Sequence, residues 1–181
     1  KSVCVCVMDL APVSLYRGEY NADTHMYMDG DDPASPVWWP ALFDALVYEE
    51  IVPAIRQDCQ SPDIEIVTAG ASIGAFNAVA TICRHPDAFR LAIAMSGTYD
   101  LSKYLEGRFI QDFYYASPLH FLPGLDGPVL EQLRQRLVLL PSGEEAAMLT
   151  GDDDEDTACR NLLAVGIPIV ALKRGDQGSK A

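Results

Sequence analysis

The stretch Ile64-Glu65-Ile66-Val67-Thr68-Ala69-Gly70-Ala71-Ser72-Ile73-Gly74-Ala75 decides how this chain is read. Its first six residues are mostly β-branched or apolar, as in a strand buried in a parallel sheet. Gly70 to Gly74 then reads as a tight turn, and a helix of small residues runs from Ala75 to about Arg84. His85-Pro86 ends that helix, because the residue before a proline is disfavoured in helical geometry. A serine centred between two glycines at such a turn is held in a strained conformation with its Oγ exposed. Side chains at positions 70 or 74 would collide with the neighbouring strand or helix. The helix N-terminus behind Ser72 offers backbone N–H groups, and that of Ile73 is the first candidate donor to a developing oxyanion.

Working outward, Val3 to Met8 is an apolar run rich in Val and Cys, consistent with another buried strand. Residues 10 to 37 lack clear periodicity and read as a long excursion. Pro40 to about Asp58 reads as a helix, with Pro53 kinking or ending its regular part. Leu91 to Met95 forms a third strand, closed by Ser96-Gly97, and Tyr99 to about Gly127 is mixed and punctuated by prolines. A helix from about Pro128 to Arg136 leads to a strand at Leu137 to Leu140. Then come an acidic loop, Gly143 to Asp156, a helix at about Asp156 to Leu163, and a last strand at Ile167 to Leu172. Apolar strands alternating with helices predict an α/β fold, a three-layer αβα sandwich with a mostly parallel sheet, formed by residues 1–181 as one domain. A dinucleotide-binding turn is disfavoured by the absence of G-x-G-x-x-G.

Composition narrows the function classes. The 181 residues carry 13 Lys+Arg against 26 Asp+Glu, a net charge of −13 that repels phosphate backbones and argues against nucleic acid as a partner. No run approaches the ~20 apolar residues of a membrane span, and no signal-peptide pattern opens the chain, so a cytoplasmic location is expected. The five cysteines (Cys4, Cys6, Cys59, Cys83 and Cys159) are too scattered for a disulfide framework or a metal cluster. Asp29, Asp31 and Asp32, or Asp152 to Asp156, have oxygens that suit Ca²⁺, but neither segment matches the twelve-residue calcium loop. No metal and no cofactor are therefore expected.

Gly70-Ala71-Ser72-Ile73-Gly74-Ala75, Arg84-His85-Pro86-Asp87-Ala88-Phe89 and Ala94-Met95-Ser96-Gly97-Thr98-Tyr99-Asp100-Leu101 together resemble the putative-esterase (esterase D-like) family of the α/β-hydrolase superfamily. Tyr48 to Ile55 and Ser117 to Leu122 fit the same pattern, and the resemblance covers roughly residues 45 to 172. It implies hydrolysis of small carboxylic esters by a Ser–His–Asp triad, with Ser72 as nucleophile and Ile73 N–H in the oxyanion hole. The acid follows the nucleophile in sequence in such enzymes. A G-x-x-D pattern favours Asp154, with Asp152 and Glu145 in reserve and Asp100 as a further option.

The base is the difficulty. The family takes its histidine from a stretch after the last strand, and Lys173 to Ala181 contains none. His85 should lie at the opposite edge of the sheet from Ser72. His120 and His25 follow strands and so belong on the serine's edge. A second oxyanion donor is expected from a loop after a strand upstream of Val3, which this sequence does not contain. Both flanks thus read as missing or replaced, which leaves an open sheet edge where a second copy could pair. The alternative reading is a non-catalytic, hydrolase-like binding or assembly protein, with Trp38, Trp39, Tyr114 and Tyr115 as candidate surface aromatics.

Overall fold

The computed structural model describes residues 3–7, 18–21, 26–29, 36–37, 44–97, 99, 114, 117–174 and 177–180. Its centre is a five-stranded sheet of β1 (Val3–Val7), β5 (Glu65–Ser72), β6 (Phe89–Gly97), β7 (Leu137–Leu140) and β8 (Ile169–Val170). The strands lie side by side in that order and every pairing is parallel, as an α/β fold requires.

Behind β5 runs α2 (Ile73–Arg84), in which every residue from Gly74 to Cys83 is buried. Gly74, Ala75, Ala78 and Ala80 let its backbone approach the sheet closely, and the Thr68 hydroxyl donates to Ala78 O at 3.1 Å, tying strand to helix. Phe76, Ile82, Ile66 and Phe89 are the largest fully buried apolar side chains here. The preceding helical segment contains a π-turn, Val47–Ile51, and then α1 (Val52–Asp58) with Pro53 in its first turn. Pro53 lies inside one continuous helical run, and the π-turn just before it accommodates the hydrogen bond that its missing N–H cannot make. Proline thus changes the helix type without ending the helix. Residues 40–43 lie outside the described residues.

Three sequence expectations are corrected. The 10–37 excursion contains a three-stranded antiparallel meander, β2 (Gly18–Asn21), β3 (Met26–Asp29) and β4 (Pro36–Val37). Strands of two to four residues are too short for a period-2 pattern to stand out. The supposed acidic loop after β7 begins with α5 (Gly143–Thr150), nucleated by a capping box between Ser142 and Glu145 and stopped by Gly151 at φ 72°. The last strand is split: Ile169–Val170 pairs with β7, whereas β9 (Leu172–Lys173) pairs antiparallel with β10 (Ser179–Lys180).

Three further α-helices, α3 (Pro118–Phe121), α4 (Gly127–Arg134) and α6 (Glu155–Ala164), and a 3₁₀ turn at Leu122–Gly124 complete the described helical segments. Among the described residues no helix is long and apolar enough to cross a membrane.

Candidate active site

Ser72 ends β5 and stands immediately before α2, with φ 55° and ψ −120°. That backbone conformation is unfavourable for any residue with a Cβ and persists only where the surroundings enforce it. Gly70 supplies the enforcement. A Cβ at Gly70 would lie 2.1 Å from Gly74 O and 2.2 Å from its carbonyl carbon, so the two glycines of the turn pack directly on each other. The serine is exposed and its side chain makes no capping hydrogen bond to the helix. Its hydroxyl is therefore not committed to holding the helix end, although serine is a preferred cap. The first N–H groups of α2, Ile73 N–H foremost, lack intrahelical partners and present a partial positive charge.

The neighbouring strands shape the surroundings. Ser72 is in register with Gly97 of β6, after a bulge between Ala71 and Ser72. Tyr99 folds back over that glycine: a Cβ at Gly97 would lie 2.2 Å from the tyrosine Cζ. Tyr99 is buried, and burial, followed by the nearby charge of Glu145, pushes its phenol pKa up. On the other side, Val7 of β1 is level with Ala69. The chain thus leaves β1 at the same sheet edge as Ser72. Residues 8–17 lie outside the described residues.

The candidate acids divide. Asp154 is the N-cap of α6: its Oδ1 accepts from Thr157 N at 2.9 Å and from Thr157 Oγ1 at 2.7 Å. Asp152 Oδ1 accepts from Asp154 N at 3.0 Å. Glu145 accepts from Ser142 N at 2.6 Å, and it is also the carboxylate whose charge reaches Tyr99. All three carboxylates are thus engaged in helix-cap or turn hydrogen bonds in the region after β7. Asp100 lies outside the described residues.

The imidazoles are placed elsewhere. His85 follows the far end of α2, where its Nε2 lies 2.9 Å from Asp44 Oδ2 and its ring stacks on Tyr48 at 3.9 Å. Arg84 Nε reaches the same Asp44 oxygen at 3.2 Å. His120 lies 2.9 Å, by Nδ1, from Ser117 Oγ. It does not follow a strand to the serine's edge as expected. It sits in α3, and the adjacent Phe121, Gly124 and Leu125 wall a cavity with Cys83, Arg84, His85 and Tyr114 at the far end of α2. His25 lies outside the described residues, as do Trp38, Trp39 and Tyr115. After β9, Arg174 pairs with Glu155. No three His, Cys, Asp or Glu side chains converge as a metal site would need among the described residues.

A parallel sheet with an exposed serine on a strained strand-to-helix turn defines a chain of the α/β-hydrolase type. The sequence pattern of the family described as "Putative esterase" matches residues 7–156, and the chain belongs to that family. The match begins within β1, so it takes in the meander that the sequence motifs alone left outside. A search of curated proteins finds no match to the chain.

Proposed function

We propose that this chain is a serine hydrolase of small carboxylic esters with Ser72 as nucleophile. The single observation that carries this reading is the backbone of Ser72, forced to φ 55° at the end of a central strand with its hydroxyl unused as a cap. Ser72 Oγ attacks the acyl carbonyl carbon, its proton passes through the base to the departing alcohol, and water later releases the acid from the acyl-enzyme. Ile73 N–H stabilises the oxyanion. The orienting carboxylate comes from the region after β7, where Asp154 and Glu145 are the two candidates. No cofactor enters this chemistry.

A second reading, a hydrolase-like chain that binds without turnover, is favoured by one observation. Both described imidazoles have partners away from the serine, His85 with Asp44 and His120 with Ser117. A fluorophosphonate probe separates the two. The hydrolase reading expects covalent labelling and hydrolysis of a short-chain nitrophenyl ester, with Ser72→Ala abolishing the labelling and lowering turnover by at least ~10³-fold. A folded wild-type chain that takes no label and hydrolyses nothing overturns it in favour of the binding protein.

A further inference from the structure

At the sheet edge opposite Ser72, an open groove of about 400 Å³ runs between the start of β5, the start of β6, α1 and the end of α4. Glu65 begins the strand that Ser72 ends, which places the groove about 23 Å from the serine along β5. Arg56, Arg90 and Arg136 line it.

These arginines differ from the others in how their charge is met. Arg84, Arg134 and Arg174 each pair with a carboxylate, and Arg160 donates to the Thr157 hydroxyl. Among the described residues Arg56, Arg90 and Arg136 form no ion pair, although the chain carries twice as many acidic as basic side chains. Arg136 is nonetheless held in place. Its Nη1 donates to Pro86 O at 2.7 Å and to Phe89 O at 3.3 Å. Carbonyl acceptors orient a guanidinium without neutralising it, so Arg136 is a fixed cation with donors to spare. Arg56 lines the wall on the α1 side, half-buried, with no carboxylate partner among the described residues. Arg90 is exposed at the rim.

We propose that this groove is a binding site for a compact oxyanion of the phosphate class. Guanidinium forks match tetrahedral oxyanions in geometry and charge. Asp63, Glu65 and Asp87 share the wall, and Asp87 already accepts from the Tyr48 hydroxyl at 3.0 Å.

The test uses the full chain and inorganic phosphate against sodium chloride at matched ionic strength. Phosphate is expected to raise Tm in a concentration-dependent way, because a ligand that binds only the folded state stabilises it. Calorimetric titration of an Arg56→Gln/Arg90→Gln variant should give a Kd at least tenfold weaker, while Arg160→Gln, outside the groove, keeps the wild-type value. Arg90→Gln alone, at an exposed position, covers the case in which the double variant does not fold and is expected to weaken binding severalfold. Equal Tm in phosphate and chloride, or a Kd unchanged in Arg90→Gln, overturns the proposal. Neither readout involves ester hydrolysis, so the outcome stands apart from that of the Ser72 experiment.

Discussion

The serine turn and the side-chain cluster at the far end of α2 use their polar groups in different ways. At the edge where β5 ends, the serine is exposed, its backbone strained and its hydroxyl withheld from the helix cap it adjoins. Around the far end of α2, His85, Asp44, Arg84, Tyr48 and Asp87 are knit into hydrogen bonds and ion pairs. A histidine there is a structural group. The difference teaches that possession of an imidazole says nothing about a catalytic base until its sheet edge is known.

Substitutions can break that contrast. Gly70→Ala drives a methyl into the Gly74 carbonyl and should cost about 3 kcal/mol or more in chemical denaturation, together with the labelling of Ser72. Normal stability and normal labelling in that variant would show that the turn is not enforced by glycine packing.

Asp44→Ala acts at the other region. It removes the shared partner of Arg84 and His85 from a buried position and should also cost about 3 kcal/mol, yet leave probe labelling of Ser72 unchanged below the lowered Tm. Lost labelling in the folded variant would instead couple the two regions.

Cys83 gives the contrast a pH dependence. Burial pushes its thiol pKa up from 9.0 to about 12. The unfolded thiol ionises near 9 while the folded one does not, so this contribution to stability is intact below pH 9 and is lost as pH rises toward 12. The slope reaches at most about 1.4 kcal/mol per pH unit, and denaturation curves of Cys83→Ala should fall less steeply across that window. At pH 8, iodoacetamide should modify the exposed Cys59 and spare Cys83.

The smallest effects concern the two carboxylates after β7. Glu145→Gln and Asp154→Asn each keep an acceptor at their helix cap and should cost no more than about 0.5 kcal/mol. On the hydrolase reading, the variant that removes the orienting carboxylate should also lower kcat for a nitrophenyl ester, which the other should leave unchanged. An equal, small response in both would leave the carboxylates with capping alone.

Much of this was legible because it is local. Five residues, Gly70 to Gly74, dictate a turn, and the strand and helix around them lie where the apolar pattern puts them, with β5 running on into the turn itself. Ser142-Gly143-Glu144-Glu145 also carries a local signal, a capping box, but its acidic residues and the Asp-rich run downstream read as a loop. The meander at 18–37 was not legible, because strands this short are held by pairing between segments and not by their own periodicity. Nor was the placement of His120: Ser117-Pro118 opens a helix, and the packing of that helix against α2 is a tertiary fact. The position of β1 beside β5 belongs to the same kind, since only strand order shows that both chains leave the sheet together.

That strand order also has a kinetic side. Ile66 meets Phe89 across about 20 residues, whereas Val3 meets Glu65 across about 60. Closing the longer loop costs about 0.9 kcal/mol more in chain entropy, and distant pairings form late. The serine turn, with α2 and β6, can assemble as a local unit while β1 is still free. The wall on the β1 side of the serine is then the last neighbour of β5 to arrive during folding.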